Sequence, residues 1–161
     1  MKYRAEHDTL TGIFNRIAFD EMISRLKKEQ FPLAFALVDV DSFKMINDTY
    51  GHEIGDRILV KVAQVLDRSF CSSDIVFRIG GDEFAILFNN ITENQKDFII
   101  HKIKDINDSL QNPIDGLPPT ALSVGVAYSS GGYMDELFNR ADKALYVVKK
   151  HGKCGVFFYQ E

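Results

Sequence analysis

The stretch Ile75-Val76-Phe77-Arg78-Ile79-Gly80-Gly81-Asp82-Glu83-Phe84-Ala85-Ile86-Leu87-Phe88 holds two short apolar runs, Ile75 to Ile79 and Phe84 to Phe88, separated by Gly80-Gly81-Asp82-Glu83. A connection so short and glycine-rich predicts an antiparallel hairpin, with glycine expected to supply the positive φ of a tight turn. Around it, strand-like and helix-like segments alternate. The hairpin therefore decides that the sheet is mixed.

Upstream, Leu33-Ala34-Phe35-Ala36-Leu37-Val38 is apolar on both faces, which predicts a central strand covered above and below, with Asp39 at its carboxyl end. Helical spacing marks Phe14 to Glu29 through Phe19, Met22, Ile23 and Leu26, and Glu53 to Phe70 through Ile54, Ile58, Leu59, Val62 and Leu66. Downstream, Thr92-Glu93-Asn94-Gln95 fits a capping box ahead of a helix carrying Ile99, Ile103, Ile106 and Leu110, which ends before Pro113. Residues 112–119 read as a loop and Ala121 to Tyr128 as a strand. Leu137, Ala141, Leu145 and Val148 mark a last long helix, before a terminal strand at Val156 to Tyr159. The expected fold class is α/β: a mixed central β-sheet with an antiparallel hairpin, covered by helices, of the ferredoxin-like or polymerase-palm kind.

The length of 161 residues, 45% of them hydrophobic, suits one domain spanning 1–161. Met1 to Glu6 has no cap or register of its own and is expected to be the stub of an upstream linker helix. The formal charge of −4, from 19 Lys+Arg against 23 Asp+Glu, excludes a general basic field for nucleic acid, so a nucleotide would have to meet local cations. Cys71 and Cys154 share no metal-ligand spacing and no signal peptide is visible, so the expected location is cytoplasmic. No apolar run approaches the ~18 residues of a membrane span, and no membrane contact is expected from this chain itself.

Two acidic clusters carry the chemistry: Asp39-Val40-Asp41 at the exit of the central strand and Asp82-Glu83 in the hairpin. If those strands are neighbours, the carboxylates converge and repel one another unless a divalent ion neutralises them. Oxygen ligands favour Mg²⁺ or Mn²⁺ over zinc. Taken alone, an Asp-x-Asp is more often a solvated strand end; the surrounding motifs decide.

Those motifs are His7-Asp8-Thr9-Leu10-Thr11-Gly12 with Asn15-Arg16; Asp39-Val40-Asp41-Ser42-Phe43-Lys44, Ile46-Asn47-Asp48, Gly51-His52 and Gly55-Asp56; Arg78-Ile79-Gly80-Gly81-Asp82-Glu83-Phe84; and Ala141-Asp142-Lys143-Ala144-Leu145-Tyr146 with Lys149. In order and spacing they resemble GGDEF domains over nearly the whole chain. The resemblance implies the nucleotidyl cyclase fold and a diguanylate cyclase of a bacterial second-messenger system, which condenses two GTP into cyclic di-GMP and two pyrophosphates across a homodimer. It also implies two Mg²⁺ or Mn²⁺ per active site, held by Asp39, the Val40 carbonyl and Asp82. Asp82 or Glu83 would take the proton, with Asp82 preferred. Asn47 and Asp56 would read guanine, because a carboxylate accepts from the guanine N1 and N2 donors that adenine lacks. Gly80 and Gly81 would let phosphates approach the backbone. Lys44, Lys149 and Lys153 would meet the triphosphate as point charges.

The chain departs from the family pattern in two places. Gly152-Lys153-Cys154 stands where Gly-Arg-Asn is expected, losing an arginine fork. Cys71-Ser72-Ser73-Asp74 stands where many members carry the Arg-x-x-Asp product site, so Asp74 is present but the arginine is replaced by Cys71. Weak or absent product inhibition is expected. Asp8 and Arg16 are expected to form a structural salt bridge. An upstream sensory domain is the implied partner. The alternative function is a catalytically weak, GTP-binding regulatory module. A cyclic di-GMP receptor is disfavoured by Cys71, and another palm-type cyclase or polymerase would not pair Asn47 with Asp56.

Overall fold

In the computed structural model, which describes residues 5–161, β1 (Leu33–Val40) is buried along its whole length. Layers on both faces account for this. Ala34, Ala36, Val38 and Val40 join a core shared with α2 (Phe43–Tyr50), α3 (His52–Ser69) and α4 (Lys96–Gln111). Leu33, Phe35 and Leu37 join a second core shared with α1 (Arg16–Leu26) and α5 (Asp135–Lys150). Burying each large side chain contributes roughly 1.5–3 kcal/mol, so a strand covered twice is strongly fixed in register.

The other strands are β2 (Ile75–Arg78), β3 (Glu83–Asn89), β4 (Leu122–Ser129) and β5 (Gly155–Phe158), in the order β2-β3-β1-β4-β5. All neighbours are antiparallel except β4 and β5, so the sheet is mixed. The first four strands form the ferredoxin-like, palm-type arrangement, and β5 extends it. The capping box at Thr92 forms, closing a 3-10 turn, Glu93–Gln95, that leads into α4.

Three sequence expectations are corrected. The hairpin forms, but neither Gly80 nor Gly81 has a positive φ; the turn is instead gripped from the side by Arg78, which donates to both glycine carbonyls. The first helix is shorter than Phe14 to Glu29, because Asn15 Oδ1 accepts from the Ala18 amide at 3.0 Å and sets its start. Helix α2 was not expected. It is separated from α3 only by Gly51, whose φ of 92° lets the chain change direction there. Of the proposed linker stub, Met1 to Arg4 lie outside the described residues, while Ala5 and Glu6 are helical. Among the described residues no helix is long and apolar enough to cross a membrane.

Candidate active site

The sheet brings the two acidic segments together. Asp39 on β1 is paired in register with Glu83 on β3, and the next pair along is Val40 with Asp82, where the Val40 amide donates to the Asp82 carbonyl at 3.2 Å. An antiparallel residue directs its N–H and C=O to the same side, so the Val40 carbonyl also faces the hairpin tip. Asp39 is only 8% exposed, at the floor of the site. Burial, then the negative charge of Asp39, push the Asp82 carboxyl above its ordinary value. Burial, then Asp39 and Asp82, do the same to Glu83. These are the shifts expected of crowded carboxylates short of cations.

The protein supplies cations of its own: Arg78 acts on Asp82, and Lys149 on all three carboxylates. Helix α5 packs on β4 and carries Lys149 onto Asp39, to which its ammonium donates. Burial pulls the Lys149 pKa down, but the hydrogen bond to Asp39 and the charges of Asp39, Asp82 and Glu83 outweigh it, and the net shift is upward. Lys153 follows α5 in the turn before β5 and donates to Ser42 Oγ at 3.3 Å. Lys44 is exposed on the first turn of α2.

Asp41 does not join this cluster. Ser123 Oγ and the Cys154 amide donate to its two oxygens at 2.5 and 2.9 Å, so its carboxylate turns toward β4 and β5. Of the two aspartates in Asp39-Val40-Asp41, therefore, only Asp39 faces the hairpin. The donor set is Asp39, the Val40 carbonyl and Asp82, all oxygen, which fits a hard divalent cation. Among the described residues no three or more His, Cys, Asp or Glu side chains form a ready-made cage. Mg²⁺ commonly binds through one or two carboxylates plus substrate phosphates, so a partial cradle of this kind suits it.

Asn47 and Asp56 lie where α2 and α3 meet. Asn47 packs so closely on Gly55 that a β-carbon there would collide with its Oδ1. That oxygen is buried and has no hydrogen-bond partner among the described residues. Asp56, next to Gly55, is exposed on the first turns of α3. Gly81 is open on its side-chain face, with nothing within 4 Å of where a β-carbon would stand, whereas at Gly80 it would meet the Glu83 carboxylate at 3.2 Å.

The salt bridge expected between Asp8 and Arg16 is absent. Arg16 pairs instead with Asp20 one turn along α1 at 3.1 Å, where both are exposed. Asp8 meets Arg78, whose Nη1 lies 3.2 and 3.0 Å from its two oxygens. The Phe14–Phe77 bridge lays the opening segment beside β2, and this brings Asp8 to Arg78. Arg78 opens the hairpin motif, and its part in the site is visible only in the fold. Here it joins Asp8 to the Gly80 and Gly81 carbonyls, the latter at 3.1 and 2.8 Å, and so braces the turn that carries Asp82.

Asp74 is occupied within its own loop. Its Oδ2 accepts from the Cys71 amide at 3.1 Å, while Asn89 anchors the loop by donating to the Ser73 carbonyl at 2.7 Å. Cys71 is exposed and free.

Known proteins share these elements. The curated Diguanylate cyclase DgcM of Escherichia coli K12 is 36% identical over 159 residues, covering 95% of this chain and 38% of that protein. Diguanylate cyclase DosC of the same organism is 37% identical over 153 residues, covering 91% and 33%. The chain thus spans between 33% and 38% of the length of these relatives. The solved coiled-coil and GGDEF domain of DgcB from Caulobacter crescentus, in complex with c-di-GMP, superposes with a TM-score of 0.85 at 27% identity, covering 98% of this chain and 87% of that one. The family model described as diguanylate cyclase, GGDEF domain, matches residues 5–154. With the acidic strand end, the hairpin and the closing helix all inside that match, this chain belongs to the GGDEF family.

Proposed function

We propose that this domain is the cyclase unit of a diguanylate cyclase, condensing two GTP into cyclic di-GMP across a pair of such domains. The observation that carries the reading is the placement of Asp39 beside the Asp82–Glu83 turn at the mouth of the sheet. The 3′-hydroxyl of one GTP attacks the α-phosphorus of the other. A P–O bond forms, the bond to the bridging oxygen breaks and pyrophosphate leaves with that electron pair. The second hydroxyl repeats the step in the opposite sense and closes the ring. Each domain presents one acidic centre, so two domains must face each other.

Asp39, the Val40 carbonyl and Asp82 would hold Mg²⁺ or Mn²⁺, two per active site. When bound, the metal offsets phosphate charge and lowers the pKa of the attacking hydroxyl. Asp82 takes the hydroxyl proton, with Glu83 beside it as the other candidate. Lys44, Lys149 and Lys153 meet the triphosphate, and Gly80 and Gly81 let it approach the backbone. Asn47 Oδ1, without a partner among the described residues, accepts from a guanine N–H, and Asp56 accepts from the same edge. With Cys71 in place of arginine and Asp74 tied to its own loop, product binds that face weakly. The cytoplasm supplies both GTP and the reducing conditions that suit two free cysteines. An upstream sensory domain fits the greater length of the curated relatives.

The test joins two copies through a dimerising coiled coil and supplies GTP and Mg²⁺. Pyrophosphate and cyclic di-GMP should appear, equimolar ATP should compete poorly, and Asp82→Ala should abolish product. GTP binding without pyrophosphate release would instead establish the regulatory-module reading.

A further inference from the structure

Asp41 follows β1 directly, yet its carboxylate leaves the acidic centre. It accepts from Ser123 Oγ at 2.5 Å and from the Cys154 amide at 2.9 Å, a residue 113 positions away in sequence. Ser123 is fully buried on β4 and is paired with Gly155, the first residue of β5. The side chain thus reaches across β4 and closes on the turn that opens β5.

That turn has three successive residues at positive φ: Gly152 at 97°, Lys153 at 62° and Cys154 at 51°. The end of α5 accounts for the first part, because the Lys153 amide donates back to the Val148 carbonyl at 3.0 Å. It does not account for Cys154, a side-chain-bearing residue in the left-handed region, whose amide is held by Asp41. On the other side of the same turn, Lys153 Nζ donates to Ser42 Oγ at 3.3 Å, and Ser42 is itself left-handed at a φ of 55°. Asp41 and Ser42 therefore grip the turn at its backbone and at its side chain.

We propose that Asp41 is a positioning residue: it holds the Gly152-Lys153-Cys154 turn in its left-handed form and so keeps the Lys153 ammonium at Ser42, just past the end of β1, from where it meets the arriving triphosphate. The proposal rests on the reading above that Lys153 serves the nucleotide phosphates. Both carboxylate oxygens of Asp41 are engaged by protein donors, so the second aspartate of Asp39-Val40-Asp41 works through the turn and not through a cation.

Asparagine separates these two roles. Its Oδ1 can accept from the Cys154 amide while its Nδ2 donates to Ser123 Oγ, keeping the bracket without the charge. The experiment measures binding of a non-hydrolysable GTP analogue by calorimetry, and hydrogen exchange at the Cys154 amide, in the native chain, Asp41→Asn, Asp41→Ala, Lys153→Ala and the Asp41→Ala/Lys153→Ala double variant. Asp41→Ala should expose the amide and weaken binding about 10-fold. Asp41→Asn should restore both most of the way, and the double variant should bind no more weakly than Asp41→Ala, since the two residues act as one unit. Asparagine failing as alanine does while Cys154 stays protected, multiplicative effects of the two alanines, or protection surviving in Asp41→Ala would each overturn the proposal. Should Asp41→Ala not fold, Ser123→Ala removes one of the two contacts; faster exchange at Cys154 supports the bracket and unchanged exchange defeats it. A native chain that binds no GTP analogue would refute the cyclase reading, while the exchange comparison still decides whether Asp41 holds the turn.

Discussion

Asn47 takes its position from its neighbour across the helix junction. Gly55 leaves just enough room for its carboxamide, and the Oδ1 buried there has no partner among the described residues. A buried acceptor without a donor costs roughly 1–3 kcal/mol, which a guanine N–H would recover. Gly55→Ala should push the carboxamide aside and lower the preference for GTP over ATP by about 10-fold or more, because discrimination built on hydrogen bonds is lost when they are misplaced. Competition binding with the two nucleotides measures it; an unchanged preference would remove Asn47 from base recognition. Asp8 gives a second prediction. Burial would raise its pKa, but hydrogen bonds from Thr11 and the Arg78 guanidinium outweigh this and hold it below the ordinary 3.8. A carboxyl lowered by folding stabilises the protein fully above its unfolded value and ceases to do so as the pH falls through its folded value. The stability difference between native protein and Asp8→Asn, about 2 kcal/mol for a charged hydrogen-bonded pair, should therefore be constant above pH 3.8 and shrink below it. Urea unfolding at a series of pH values reads it. The sequence singled out Asp8 but suggested Arg16, its near neighbour in the chain. Arg78 became available only because the opening segment lies along β2, which periodicity does not reveal.

Among the elements, α5 is the one on which the cations depend. It packs against β4 so closely that a β-carbon on Gly125 would collide with the backbone at Ala141 and Leu145, and the same helix carries Lys149 to Asp39. Gly125→Ala should cost about 1–3 kcal/mol by overpacking and, by lifting α5, weaken GTP binding as well; thermal unfolding and nucleotide titration together check it. Loss of stability with nucleotide affinity intact would mean that α5 does not set the position of Lys149. The longer helices were legible in sequence because their apolar stripes run for several turns, and β1 because both its faces are apolar. Helix α2 was not legible: with eight residues and Ser42 making no capping bond, it offers too little pattern to separate it from a loop. The hairpin was read correctly from its length and composition, but for a partly wrong reason, since the grip of Arg78 and not a positive φ at glycine shapes it. The separate destinations of Asp39 and Asp41 were hidden as well, because an Asp-x-Asp pattern does not say which carboxylate a neighbouring strand will claim.

Across the molecule, the acidic centre draws on β1, the β2–β3 hairpin and α5, elements separated in sequence and joined only when the sheet closes. It holds three carboxylates, Asp39, Asp82 and Glu83, whose charge Lys149 and, at Asp82, Arg78 offset only in part. The nucleotide's metal should complete that balance, and the partial oxygen cradle should need the phosphates to complete its coordination. Titration of Mn²⁺ into the chain with a non-hydrolysable GTP analogue, followed by electron paramagnetic resonance, examines this directly. Mn²⁺ should bind the native domain in a nucleotide-dependent way, and that binding should be lost in Asp39→Ala and equally in Asp82→Ala. Undiminished binding in either variant would show that the strand end and the hairpin tip do not share one centre.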